Sequence, residues 1–241
     1  MALQLDICTL FPDFFTGPLN SSILHRAQAQ GHVNYALHDM RDYTDDKHRR
    51  VDDRPFGGGP GMVLKPQPVF DCLEALQLSP EVPVILTSPR APLFTQQDAI
   101  ALSQVSRLVF LCGHYEGMDE RIREQLCSHV YSIGSYVLTG GEPASLVMLD
   151  AIVRLIPGVV GRQASVEQDS FMEGLLDCPH YTRPADFRGL KVPEVLQGGN
   201  HADIERWRHI QKMKETQRWR PDVWAEYVPT PQELKWLEES Q

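Results

Sequence analysis

Short apolar runs alternate with amphipathic segments over the first two thirds of the chain. Each apolar run has the length of a strand, and the runs cover residues 3–10, 33–37, 82–87, 108–112 and 130–133. The segments between them that carry helix signals cover residues 66–78, 95–103, 119–126 and 142–156. Strands that alternate with helices predict an α/β domain in which helices cover a parallel sheet.

Small residues follow three of these strands directly. Ser88, Gly113 and Gly134 each stand just after a predicted strand. Ligands of parallel sheets bind beyond the carboxyl ends of the strands, and glycine leaves the main chain open to them. Tyr115 and Tyr136, with few Lys or Arg nearby, suit an adenine ring and a sulfonium better than a triphosphate. Ordinary turn chemistry is the alternative interpretation.

The glycine-rich run over residues 57–61 does not form a phosphate loop. Met62 and Val63 stand where a Walker A motif needs Lys and Ser or Thr. The run ends a long charged loop over residues 39–61, and loops of this length are usually functional or disordered. The run is therefore either a flexible turn or a lid whose bare backbone lies against a planar ligand.

The sequence changes character after residue 156. Residues 158–173 are small and polar, which indicates a linker, and residues 174–241 predict a small, mostly helical domain. Asn200 is a suitable N-cap for a helix that runs to about residue 216. The expected buried stripe of this helix comprises Ile204, Trp207, Ile210 and Met213.

Basic residues are concentrated on that helix, although the chain has a net charge of −9. Residues 205–220 contain two acidic residues and six basic ones, namely Arg206, Arg208, Lys212, Lys214, Arg218 and Arg220. A local patch of this kind can bind a polyanion even on an acidic protein. The acidic balance argues weakly against a generic nucleic-acid-binding module, and a solvated helix face is the alternative.

Composition restricts the class of protein further. The 241 residues include five cysteines without a C-x-x-C pair, so neither a zinc site nor a disulfide framework is predicted. The histidines and carboxylates show no metal-binding spacing, and no metal ligand is assigned. No apolar run approaches the ~18 residues of a membrane helix, and the N-terminus lacks a basic signal-peptide region. We expect a cytoplasmic protein without a membrane partner.

Two charged residues allow opposite interpretations. Asp169 lies in the predicted linker, where a carboxylate is usually solvated and is less often catalytic. Arg154 lies near the end of the helix predicted over residues 142–156, where it would complement the helix dipole. Residue type and position alone leave both interpretations open.

Four longer motifs occur in one order along the chain. They cover residues 44–62, 111–121 (LCGHYEGMDER), 132–142 (SIGSYVLTGGE) and 169–184 (DSFMEGLLDCPHYTRP). Together they resemble the bacterial tRNA (guanine-N1)-methyltransferases, SPOUT-class enzymes that modify the guanosine 3′ to the anticodon. The resemblance extends from residue 11 to about residue 208, nearly the whole chain.

The resemblance implies a particular architecture. A knotted methyltransferase domain that binds S-adenosyl-L-methionine would cover residues 1–160, and its parallel sheet would contain a deep trefoil knot, a rare exception among folds. A flexible linker would cover residues 161–173, and a helical tRNA-binding domain would cover residues 174–241. The enzyme would be a homodimer in which each active site is shared between the subunits.

The resemblance also implies site residues. The methyl donor would contact Ser88, Pro89, Gly113, Tyr115, Glu116, Ile133, Gly134, Ser135, Tyr136, Val137, Leu138, Gly140 and Gly141. Asp169 would be the general base at guanine N1, and Arg154 would stabilise O6 of guanosine 37. The anticodon stem-loop of tRNA would contact Gly59, Ser165, His180, Arg183 and Arg208. Mg²⁺ is a second cofactor that the resemblance admits, without assigned ligands.

The chain departs from the usual family pattern at three places. Arg90 and Ala91 replace Gln-Gly after the Ser-Pro pair, which bears on one backbone contact to the donor. His114 stands where arginine is frequent, and Pro143 replaces leucine at a helix start, where proline is tolerated.

Two other classes of function remain as alternatives. A nucleotide hydrolase that uses residues 57–61 would bind and hydrolyse ATP or GTP, which the missing Lys-Ser/Thr pair disfavours. A non-catalytic RNA-binding module would bind tRNA without a methyl donor, which the glycine- and tyrosine-containing loops disfavour.

Overall fold

Five parallel strands form the central sheet of the computed structural model, as the alternating pattern predicts. The structure describes residues 2–161 and 168–240. It divides into two compact units, Met1–Gly161 and Arg162–Gln241. We call them the first and the second unit.

The five long strands of the first unit are hydrogen-bonded in the order β2-β1-β6-β5-β7, and every neighbouring pair is parallel. Short antiparallel ladders join β3 to β4 and, in the second unit, β8 to β9. In chain order the strands are β1 (Leu3–Thr9), β2 (Val33–Asp39), β3 (Asp52–Asp53), β4 (Val63–Leu64), β5 (Val84–Thr87), β6 (Arg107–Leu111), β7 (His129–Tyr131), β8 (Asp186–Phe187) and β9 (Leu190–Lys191).

Helices join these strands and begin at recognisable residues. Thr95 caps one of them with a capping box to Asp98, and Pro66 stands in the first turn of another. The helices of the described residues are α1 (Asp13–Leu19), α2 (Ser22–Ala29), α3 (Pro66–Ala75), α4 (Gln96–Ser103), α5 (Glu120–Leu126), α6 (Glu142–Val153), α7 (His201–Trp219), α8 (Pro221–Glu226) and α9 (Pro231–Glu239). Short 3₁₀ turns occupy Met40–Tyr43 and Glu194–Leu196.

The sheet supplies the core of the first unit. Strands β1 and β6 are buried along almost their whole length, because neighbours cover them on both faces. Helix α3 packs Val69, Cys72 and Leu73 into the same cluster. The apolar runs of the sequence therefore mark the buried strands, and the strand ends are held in fixed positions.

A charged group lies within this core. The Asp6 carboxylate is almost fully buried, and it accepts hydrogen bonds from His38 Nε2 (2.8 Å) and Arg107 Nε (2.7 Å). Burial raises the pKa of Asp6, but these two hydrogen bonds and the Arg107 charge outweigh it, so the net pKa is lowered. The group joins β1 to its two neighbours, β2 and β6.

The second unit has a much smaller core. Leu175, Ile210 and Met213 are its buried cluster, with Trp224 and Trp236 packed against them. Asn200 caps α7 by accepting from the Ala202 amide, as predicted, and the helix extends beyond the predicted end to Trp219. None of the helices in the described residues is both long and apolar enough to cross a membrane.

Candidate active site

A cavity of 450 Å³ lies at the carboxyl ends of β5, β6 and β7 in the first unit. The loops that follow these three strands and the turn before α6 line it, as expected for a parallel sheet. Of the predicted donor contacts, those that line the cavity are Ser88, Pro89, Gly113, Tyr115, Glu116, Ile133, Gly134, Tyr136, Val137, Leu138, Gly140 and Gly141. Ser135 lies in the same loop but does not line it.

The loop after β6 and the turn before α6 approach each other through their main chains. The Gly141 amide donates to the Gly113 carbonyl at 2.7 Å. A Cβ atom on Gly141 would lie 2.7 Å from the Gly113 nitrogen and 2.9 Å from Cys112 Cα, closer than real Cβ contacts. Only glycine fits at this crossing, because the opposing atoms belong to the backbone and cannot rotate away.

The loop after β7 folds an aromatic ring over a glycine. The Tyr136 hydroxyl donates to the Ile133 carbonyl at 3.1 Å. A Cβ atom on Gly134 would lie 2.3 Å from Tyr136 Cε1, so this ring position requires glycine at 134. The tyrosine is about half exposed and forms part of the cavity wall.

Two polar atoms of the cavity lining have no partner among the described residues. Thr87 Oγ1 and His114 Nδ1 are both buried without a hydrogen bond. The His114 ring packs against the Phe11 and Tyr115 rings, with centroids 4.8 and 5.0 Å apart. Buried polar atoms normally form hydrogen bonds, so buried polar atoms without a partner in a cavity wall indicate a ligand or water that supplies the partner.

Sequence reasoning did not assign these two residues to the site. Thr87 is the last residue of β5, so the periodic pattern counts it as strand. His114 belongs to the motif over residues 111–121, but the sequence distinguishes it only as a replacement for the usual arginine. Position at a strand end was the signal that could have identified Thr87.

Charged side chains gather at one side of the cavity. Glu120 contacts Arg90 Nη2 at 3.2 Å and also pairs with Arg123, and all three residues line the cavity. Hydrogen bonds from the Arg123 guanidinium hold the pKa of Glu120 below its usual value. Because Glu120 pairs with both arginines, the cavity is not strongly cationic, unlike a triphosphate site.

The last residue of the glycine-rich run, Gly61, lies against Glu116, which lines the cavity. A Cβ atom on Gly61 would overlap the Glu116 side chain, so the carboxylate lies directly against the Gly61 backbone. The Glu116 amide donates to the Met62 carbonyl at 3.0 Å. Gly59 itself has a φ of +117°, and no atom lies within 4 Å of its Cβ position.

Arg154 ends helix α6 of the first unit. It is the C-cap residue, and its amide donates to the Asp150 and Ile152 carbonyls. The helix stops three residues short of the predicted end at 156. The position is the one expected for a cation that complements the helix dipole.

A second cavity, of 1040 Å³, lies within the second unit and has a different character. Charged side chains line it, and they include Asp169, His180 and Arg208 of the predicted site residues. Arg183 is not among the lining residues, and Ser165 lies outside the described residues. The structure therefore brings the predicted base into one cavity with two of the predicted tRNA contacts.

The charges of this cavity are paired with each other. Asp177 Oδ2 lies 2.8 Å from His180 Nε2, and Arg208 Nη1 donates to Glu205 at 2.6 Å. Burial raises the pKa of Asp177, but the hydrogen bonds from His180 and the Cys178 amide outweigh it and lower the net pKa. A polyanion that binds here must exchange its own charges for those of the internal acids.

One group in the described residues has the composition of a metal site. Ligand atoms of Asp177, Cys178 and His180 lie within 4.8 Å of one another. Mg²⁺ requires oxygen ligands, so a thiol and an imidazole do not fit it. The nearby charges of Arg208 and Lys212 also disfavour a divalent cation. We therefore derive no catalytic step through Mg²⁺.

Fold and cavities together define a class of protein: an α/β protein with a ligand cavity of main-chain groups at its strand ends and a second, charged cavity in a helical unit. Comparison with known proteins gives the family within that class. A family model described as tRNA (Guanine-1)-methyltransferase TrmD matches residues 3–226, so the chain belongs to that family, as the four motifs predict.

Similar curated proteins carry the corresponding name. The tRNA (guanine-N(1)-)-methyltransferase of Bacillus cereus strain B4264 is 54% identical over 239 residues, which cover 98% of both chains. The protein of the same name from Bacillus anthracis strain A0248 has the same identity and coverage.

Proposed function

We propose that this chain transfers a methyl group from S-adenosyl-L-methionine to N1 of guanosine 37, next to the anticodon of tRNA. The observation that carries the proposal is the cavity at the ends of β5, β6 and β7, which contains main-chain groups and two orphan polar atoms. Family membership supplies the reaction class.

The strand-end loops fit the proposed donor. Bound S-adenosyl-L-methionine supplies an electrophilic methyl group on a sulfonium. Main-chain groups around Gly113, Gly140 and Gly141 would hold its polar atoms, with Thr87 and His114 as additional partners. Tyr136 and Leu138 would cover its apolar surface. The volume lies within the range usual for small-molecule sites.

Asp169 is the proposed general base. Guanine N1 carries a proton at neutral pH and is a poor nucleophile, so a base must remove the proton as the methyl group is transferred. General-base help is typically worth about 10²–10⁴-fold in rate. Asp169 is half-buried in the second unit's cavity, which suits a base that acts after RNA binds.

Arg154 is the proposed partner of O6. Negative charge spreads from N1 to O6 of guanine as the proton leaves. A fixed guanidinium next to O6 stabilises that charge, and one such donor is worth about 10²–10³-fold. The C-cap position places Arg154 at a defined point of the first unit.

The second unit is the proposed tRNA-binding domain. The guanidinium groups of Arg206 and Arg208 are about half exposed and lie on one cavity, where they can exchange Glu239 and Glu205 for phosphates. Such binding is salt-sensitive. The target base must leave its stack to reach the donor, so binding includes base flipping.

The remaining structural proposals concern topology and assembly. We propose that the first unit contains the deep trefoil knot and that two copies form a homodimer with shared active sites. The contact between the Gly113 loop and the Gly140 turn supports the close threading that a knot requires. Exposed Phe14 on α1 and Val147 on α6, two helices that pack together, support a covered apolar surface.

Replacing Asp169 with Asn tests the proposed function. The wild-type chain should form 1-methylguanosine in a tRNA transcript, and Asp169→Asn should lose about 10²–10⁴-fold in single-turnover rate. Its affinity for S-adenosyl-L-methionine should stay within twofold of wild type. Asp203→Asn changes another acid of the same cavity and is the matched control. If Asp169→Asn methylates at the parental rate, Asp169 is not the base.

A further inference from the structure

Hydrogen bonds on both sides connect the short segment that carries Asp169 to other parts of the second unit. On its N-terminal side, Lys212 Nζ donates to the Gln168 carbonyl at 3.2 Å. On its C-terminal side, the Asp177 amide donates to Ser170 Oγ at 2.9 Å. Residue 169 is therefore flanked by one contact to α7 and one to the loop that contains Asp177.

Lys212 differs from the other basic residues of α7 that line the cavity. Its side chain is only 13% exposed, whereas that of Arg208 is 47% exposed. In the sequence both residues belong to the basic cluster over residues 205–220, which can bind a polyanion. In the structure the Lys212 ammonium faces protein groups, with the Glu173 carboxylate 3.8 Å away in addition to the Gln168 carbonyl.

A largely buried ammonium is costly unless it is paired, so its partners fix its position. Lys212 lies on a 19-residue helix whose neighbours Ile210 and Met213 belong to the buried core. The Thr216 hydroxyl, which donates to the Lys212 carbonyl, also accepts from the Leu176 amide at 2.8 Å. The Lys212 ammonium thus connects α7 to the segment of residues 168–170.

We propose that Lys212 is a positioning residue that holds the Asp169 segment in the orientation needed for proton removal, and that it is not a phosphate contact. This inference rests on the proposed function. A carboxylate must lie within hydrogen-bond reach of the N1 proton, and a displacement of about 1 Å can cost about 10²-fold in rate. Lys212 acts on Asp169 through the Gln168 main chain.

The test compares three variants of α7 in the full chain. Lys212→Met removes the ammonium and keeps an unbranched side chain, while Lys212→Arg keeps a donor and a charge. Lys214→Met is the matched control, because Lys214 lies two residues further along the helix and donates to the Ser240 carbonyl instead. Each variant is assayed for single-turnover methylation at saturating tRNA and for tRNA affinity at several salt concentrations.

We expect Lys212→Met to lower the single-turnover rate about 10- to 100-fold, with tRNA affinity and its salt dependence unchanged. Lys212→Arg should recover most of the rate, and Lys214→Met should match wild type. The proposal is overturned if Lys212→Met instead weakens tRNA binding and reduces the slope of log K against log salt by about 0.7–0.9, as loss of a phosphate contact would. An unchanged rate, or an equal loss in Lys214→Met, also overturns it.

If Lys212→Met does not fold, a second variant tests the same proposal. Ser170→Ala removes the hydrogen bond from the Asp177 amide and should also lower the rate at saturating tRNA without weakening tRNA binding, and an unchanged rate contradicts the proposal. Failure of the proposed function is distinguishable, because wild-type protein would then form no 1-methylguanosine. If wild type is active and Asp169→Asn is inactive while Lys212→Met is normal, only the role of Lys212 is wrong.

Discussion

The two units line their cavities with different kinds of groups: main-chain groups in the first unit and charged side chains in the second. In the first unit, strand-end loops expose main-chain groups, and glycine is required where Gly141 meets Gly113. In the second unit, side chains such as Arg208 and Asp177 supply the lining as ion pairs. A ligand that main-chain groups bind is recognised by its shape, and its affinity is insensitive to salt. A ligand that binds through ion pairs exchanges with the paired charges already present, and salt screens its binding.

This difference determines which substitutions are informative. A main-chain contact cannot be removed by truncating a side chain, so only an added Cβ atom tests it. A charged contact can be removed one residue at a time.

Arg154→Ala tests whether the first unit contributes a charge to catalysis as well as a cavity. We expect the single-turnover rate to fall about 10²–10³-fold, because O6 loses its guanidinium partner. S-adenosyl-L-methionine affinity, measured by calorimetry, should not change. An effect confined to donor affinity would contradict the proposed role at O6.

Asp6→Asn tests the charged group inside the core of the first unit. We expect a loss of about 2–3 kcal/mol in the free energy of unfolding at pH 7, because the hydrogen bonds from His38 and Arg107 lose their charged acceptor. Urea denaturation monitored by circular dichroism measures it. Exposed Asp13 provides the control, Asp13→Asn, which should cost less than 0.5 kcal/mol.

The lowered pKa of Asp6 also predicts how the effect of Asp6→Asn on stability depends on pH. The folded pKa of Asp6 is lowered, so its contribution to stability is present above the unfolded pKa of about 3.9 and is lost as pH falls through the folded pKa. The stability difference between wild type and Asp6→Asn should therefore shrink below about pH 4. A difference that grows on acidification would contradict this assignment.

Gly113→Ala tests main-chain recognition of the donor. A Cβ atom there would meet only Met118, at 3.9 Å, so the free protein should fold normally. If the donor lies against this backbone, the added methyl group should weaken its binding by roughly 1–3 kcal/mol, or about 5- to 150-fold. Gly17→Ala, which has open space around it, is the control. Unchanged donor affinity would place the donor elsewhere.

Arg208→Gln tests the charge-based cavity of the second unit. We expect tRNA affinity to fall several-fold at 0.1 M salt and the slope of log K against log salt to decrease by about 0.7–0.9. Filter binding across a salt series measures both. Donor affinity should be the same as wild type at every salt concentration, and a salt-sensitive donor affinity would remove the contrast between the units.

The long strands and the ligand-binding edge of the sheet could be predicted from the sequence. Apolar runs around Ile7, Ile85 and Phe110 are buried on both faces, so hydrophobicity alone marks β1, β5 and β6. The short ladder between Asp52–Asp53 and Val63–Leu64 could not be predicted, because strands of two residues are too short to show an alternating pattern. Helix α2 covers only eight residues, half of them polar, and the sequence pattern does not predict it.

Within the site, residue identity was more predictable than side-chain direction. Motif position marks the loop that contains Tyr136, but not that Ser135 is missing from the cavity lining. Periodicity marks Lys212 as a polar position of α7, but only tertiary packing shows that its ammonium faces Gln168. The orphan atoms of Thr87 and His114 are likewise visible only after the loops are assembled.

Nucleoside analysis of methylated tRNA tests the central claim most directly. A tRNA transcript is incubated with the full chain and S-adenosyl-L-methionine carrying a labelled methyl group, and its digested nucleosides are separated by mass spectrometry. We predict labelled 1-methylguanosine from the transcript with guanosine at position 37, and none when that guanosine is replaced. Label on another nucleoside, or equal label on both transcripts, would contradict the account.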